Sequence, residues 1–61
     1  MTPKQWCLRQ SNKFSAMPLG GGWVICVRGR PGHFVSGKTE EEAWRNAFSN
    51  LRSNHDVLKS L

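Results

Sequence analysis

From Thr39 to Arg52 the sequence TEEEAWRNAFSNLR repeats apolar residues at helical spacing. Ala43, Ala47 and Leu51 recur every four positions, and Trp44 and Phe48 widen the same stripe. This predicts an amphipathic helix with one broad apolar face. Thr39 with Glu42 three residues later forms a capping box. Glu40, Glu41 and Glu42 complement the positive end of the helix dipole. Upstream the period changes to two. In GWVICVR, residues 22–28, Trp23, Ile25 and Val27 alternate with Val24, Cys26 and Arg28. That is a strand, with the Trp23 side assigned to the core beneath Trp44 and Phe48. If the strand runs on, Arg30 shares the outer side with Arg28, so that face presents two guanidiniums. Arg30-Pro31-Gly32 is a turn signal. His33 to Ser36 reads as a short second strand, and Gly37-Lys38 leads into the helix cap.

The first third is less regular. Residues 5–10, QWCLRQ, fit a strand with Trp6 and Leu8 on one side. They also fit a short helix with Thr2 as cap and Pro3 at its first position. Lys13 to Met17 reads as a strand and Pro18 to Gly22 as a glycine loop able to take positive φ. Beyond residue 53, Asp56 is placed to cap a short terminal helix, with Val57, Leu58 and Leu61 docking on the body. The fold class expected is α+β: an antiparallel sheet of two to three strands against one C-terminal helix. Residues 1–61 form one domain, with residues 1–12 as an extension of open structure. At 61 residues a chain buries only about 60% of its unfolded surface, so the core is marginal.

Charge adds a direction. The formal net charge is +5, and it is unevenly spread. Lys4, Arg9, Lys13, Arg28, Arg30 and Lys38 precede residue 39 with no acid among them, whereas Glu40 to Glu42 and Asp56 offset Arg45, Arg52 and Lys59. A basic sheet beside a near-neutral helix suits an anionic partner, either nucleic acid or an acidic protein. No apolar stretch approaches the ~20 residues of a membrane span, and no N-terminal run has the make-up of a signal peptide. Cys7 and Cys26 make no disulfide framework. They read as small buried hydrophobes on strands in a reducing cytoplasm, with one bridge between neighbouring strands as the alternative. Neither has a second Cys or His at ligand spacing, so no metal and no cofactor is expected.

Candidate chemistry is sparse. Gly20-Gly21-Gly22 precedes a strand, whereas a phosphate loop lies between a strand and a helix. His33, near Arg28 and Arg30, has the residue types of a ribonuclease base with cationic support. It lacks a second His or an upstream carboxylate. His55 is read as a surface residue. Consecutive glutamates at 40–42 point around the helix axis and not at one ion. Three tryptophans among basic residues could suggest base stacking, but Trp23 and Trp44 fall on core faces, which favours a core role and leaves only the exposure of Trp6 open.

The stretch from Lys13 to Leu51 resembles the N-terminal domain of HicB-type antitoxins. The matching elements are Lys13-Phe14-Ser15-Ala16, Gly21-Gly22-Trp23-Val24-Ile25, Pro31-Gly32 and Gly37-Lys38-Thr39, followed by Glu41-Glu42-Ala43 and Asn46-Ala47. The resemblance implies a β-β-β-α fold that caps a small basic ribonuclease toxin, often as a homodimer. Small interaction proteins of this kind occur in phages and mobile elements.

These readings converge on a non-catalytic module that binds a protein as an inhibitor or adaptor. Arg9, Arg28, Arg30, His33 and Lys38 are the expected contact residues, and an exposed strand edge is the other route to a partner. Edge pairing of two copies would give a homodimer. The alternatives are nucleic-acid binding by the same basic face and a toxin-like ribonuclease using His33.

Overall fold

The computed structural model describes residues 1–54 and Lys59. The short terminal helix expected from Asp56, Val57, Leu58 and Leu61 therefore lies outside the described residues. The order of elements is α1 (Pro3–Gln10), β1 (Phe14–Leu19), β2 (Gly22–Val27), β3 (Val35–Gly37) and α2 (Glu40–Ser53). The strands form one antiparallel sheet in the order β1-β2-β3. Helix α2 packs across all three strands, and α1 packs against α2. The fold is the α+β class expected, with a second helix added at its N-terminus.

Residues 3–10 are helical because their start is fully capped. The Thr2 hydroxyl accepts from the Gln5 N–H at 3.2 Å, and the Gln5 side chain accepts from the Thr2 N–H at 3.1 Å. Pro3 occupies the first turn, where its missing N–H costs nothing. The helix turns Cys7 into the core and leaves Leu8 exposed. That arrangement excludes the strand reading, which put Trp6 and Leu8 on one side.

The sheet corrects the expected loop at residues 18–22. Strand β1 runs on through Pro18 and Leu19, and Leu19 pairs with Gly22. Only Gly20 and Gly21 turn, with φ of 57° and 83°. Positive φ at both central residues marks a type I′ turn, whose twist matches the flanking strands. Pro18 is tolerated because β1 is an edge strand. The predicted strand from His33 is also shorter than expected. It starts at Val35, and His33 lies in the loop before it.

Ile25, Val27, Phe14, Cys7, Ala43, Trp44, Ala47 and Leu51 form the buried cluster, with Trp6, Trp23, Phe34 and Phe48 packed against it. The Trp23 side of β2 thus faces the helices as its alternation predicted. Trp6 is only half-buried and meets Phe48 edge-on, with ring centroids 4.8 Å apart. Gly37 sets the distance between β3 and α2. A Cβ built there would stand 2.5 Å from the Ala43 nitrogen. The Asn46 side-chain amide clamps the same seam by donating to the Ser36 carbonyl at 2.7 Å. The cap of α2 differs from the simple box. Thr39 accepts from the Glu42 N–H at 3.1 Å, but the Glu42 carboxylate accepts from the Lys38 N–H at 3.3 Å.

Candidate functional site

The face of the sheet away from the helices is set by strand alternation. Val24 and Cys26 on β2 point opposite to Ile25 and Val27, and the register places Met17 beside Val24 and Ser15 beside Cys26. Ser36 on β3 flanks Val24 from the other side. Leu19 continues the Met17 row. Met17 is 48% exposed and Leu19 58% exposed, whereas Val24 between the outer strands is only 4% exposed. Both described helices occupy the other face. The outer face is therefore apolar along its middle, not the basic plane expected from Arg28 and Arg30.

The guanidiniums leave that plane because the strand does not run on. The Arg30 N–H donates to the Val27 carbonyl at 3.1 Å, and Gly29 between them has φ of 88°. Positive φ at the third residue of a four-residue turn is the type II geometry. The turn breaks the alternation, so Arg30 does not share Arg28's side. Arg28 folds toward the α1–β1 connection, where its Nη2 donates to the Asn12 carbonyl at 3.4 Å. Arg30 and His33 line a shallow hollow of about 150 Å³ with Val27, Pro31, Gly32 and Phe34.

The five expected contact residues thus divide. Arg28, Arg30 and His33 gather on the β2–β3 loop at one end of the sheet. Lys38 stands at the far end of β3, beside the α2 cap. Arg9 lies in the last turn of α1, next to Leu8 and Gln5 in an open depression. No family model, no curated protein and no solved structure matches this chain. The site is accordingly read from its own geometry.

His33 is exposed on its loop. The glutamates sit beyond β3 and are engaged: Glu40 accepts from the Trp44 indole at 3.2 Å and pairs with Lys4 at 3.6 Å, and Glu41 pairs with Arg45 at 3.2 Å. Among the described residues no group of His, Cys, Asp or Glu is placed to hold a metal ion.

The cysteines fall on opposite sides of the sheet and both are free. Cys7 is buried on a helix, not on a strand, and burial pushes its thiol up to about 11. Cys26 is half-buried on the outer face. What the residue-by-residue reading missed is the pair Met17 and Leu19. Their signal was present as Met17-Pro18-Leu19, an alternation that survives the proline on an edge strand.

Proposed function

We propose that this protein is a small non-catalytic protein-binding module that acts as an inhibitor or adaptor, in the manner its resemblance to HicB-type antitoxin domains implies. The observation that carries the reading is the outer sheet face. Exposed Met17 and Leu19 flank Val24, with Arg28 and Arg30 at one end. An apolar centre with arginine at the rim is the composition of a protein-recognition surface, in which arginine and methionine are enriched. Free thiols suit a reducing compartment such as the cytoplasm. No helix among the described residues is long and apolar enough to cross a membrane.

Affinity capture from a bacterial lysate tests this, run with and without nuclease and with Met17→Asp/Leu19→Asp beside the wild type. The expected result is a protein retained in fixed proportion by the wild type after nuclease and lost by the double variant. Equal retention by both proteins would overturn the assignment of the surface.

A second reading has its own support. Arg28 and Arg30 share one loop end with His33, which is the local cation density that nucleic-acid binding requires. On that reading, affinity for RNA or DNA falls steeply with salt and is lost in Arg28→Glu/Arg30→Glu. Binding that ignores both changes would dismiss it.

A further inference from the structure

We propose that the hollow under the β2–β3 loop is a binding site for a carboxylate that carries one small apolar group, with that group on its floor and the carboxylate at its rim. The hollow measures about 150 Å³ and is lined by Val27, Arg30, Pro31, Gly32, His33 and Phe34. Its lining divides by depth. Val27 is buried, and Phe34 is half-buried with its ring centroid 5.9 Å from that of Phe14. Arg30, Pro31, Gly32 and His33 are exposed. The floor is therefore continuous with the core, and the rim carries the polar groups.

The loop is held in shape from both ends. The Arg30 N–H donates to the Val27 carbonyl at 3.1 Å, and the Phe34 N–H donates to the Ile25 carbonyl at 2.7 Å. Between them Pro31 has its φ fixed by its ring, and Gly32 takes a φ of 74°. A loop pinned in this way needs little further ordering to bind, and ordering is a main cost of a loop site. The Gly32 and His33 N–H groups donate to no other backbone group among the described residues. They add donors to those of the Arg30 guanidinium and the His33 imidazole. A guanidinium carries several N–H donors and can serve more than one acceptor at once.

Floor and rim together select the ligand. A hydrated inorganic anion would gain the rim donors but press against Val27 and Phe34, losing water there with nothing to replace it. A wholly apolar molecule would bury rim donors without partners. A cavity of this volume holds a group of about the size of benzene, so one branched aliphatic or phenyl group fits the floor. A carboxylate joined to it by a short link reaches the rim, where hydrogen bonds to a charged acceptor are the strong kind. Two sources present this chemistry: the last residue of a polypeptide, when its side chain is apolar, and a free small carboxylic acid.

This inference rests on neither reading above and needs only purified protein. Its test is a titration of the isotope-labelled chain at physiological salt, followed at the backbone amides by NMR. Isocaproate is expected to shift the Gly32, His33 and Phe34 amides saturably, with a Kd on the order of millimolar for so small a ligand. Isocaproamide, similar in shape but uncharged, should bind about tenfold more weakly. Arg30→Gln/His33→Gln should erase the preference for acid over amide while the signals of β1, β2 and α2 stay in place. The acid-to-amide comparison on the wild type decides the matter even if that variant unfolds. A short glycine peptide ending in leucine with a free carboxylate separates the sources. Tighter binding than isocaproate assigns a polypeptide terminus, and equal or weaker binding assigns a small free acid. Equal affinity for isocaproate and isocaproamide would overturn the proposal. So would inorganic phosphate shifting the same amides as strongly as isocaproate, or no saturable shift from either isocaproate or the peptide.

Discussion

Cys7 and Cys26 show how one residue type takes two characters from its surroundings. Cys7 is fully buried in the cluster, and desolvation of the thiolate raises its pKa from 9.0 to about 11. A thiol reagent at neutral pH should therefore label Cys26 in the native protein and reach Cys7 only after unfolding. Rapid labelling of both in the native state would contradict the packing of α1. The raised pKa also sets an alkaline limit. As pH rises the unfolded chain loses this proton first. The stabilisation is complete below pH 9 and is lost progressively towards 11, by at most about 1.4 kcal/mol per pH unit. Urea midpoints across that window should fall more steeply for the wild type than for Cys7→Ala. Gly37 is the other residue whose role is fixed by distance. Gly37→Ala forces the added carbon against Ala43 and Glu42 backbone atoms that cannot yield alone. It should cost about 1–3 kcal/mol, read from urea unfolding. A stability equal to the wild type would mean that β3 and α2 do not approach this closely. Nothing in the sequence marked Gly37 as more than a spacer before a cap, because a close backbone approach between elements leaves no periodic signal.

Helix α2 was legible from its sequence almost to the residue, since period, cap and acidic first turn all agree. Thr39→Ala removes the acceptor for the Glu42 N–H. It should lower stability by about 1 kcal/mol, and Thr39→Ser should recover most of the loss in thermal unfolding. An effect no larger than that of an exposed Ser49→Ala would show that the cap is idle. Helix α1 was ambiguous because eight residues give barely two turns of pattern. The Thr2–Gln5 reciprocal bonds decided the matter, and a Ser/Thr-x-x-Glu/Gln signature was there to be read. The sequence predicts too short a β1 because Pro18 and the glycines after it together carry a loop signal. An edge strand needs no N–H on its open side, so a proline there is compatible with pairing. The same loop signal masks the Met17–Leu19 alternation that places both side chains on the outer face.

At the scale of the molecule, the sequence indicates a basic half and an amphipathic helix but not where the cations point. Alternation predicted Arg28 and Arg30 on one plane. The Val27–Arg30 turn instead moves them to the end of the sheet, and that left an apolar face where a basic one was expected. The turn depends on Gly29 at positive φ, which a count of alternate residues cannot register. The outcome separates two surfaces that the sequence had merged: an apolar face across β1 and β2, and a cationic loop end around Arg30 and His33. Partner recognition is proposed for the first. The most direct measurement compares retention of a nuclease-resistant protein partner by the wild type, by Met17→Asp/Leu19→Asp and by Arg28→Glu/Arg30→Glu on the same support. Loss in the outer-face variant, with at most a partial, salt-sensitive reduction in the loop variant, is the predicted result. Full retention by the outer-face variant with loss in the loop variant would contradict it and place recognition on the cationic loop.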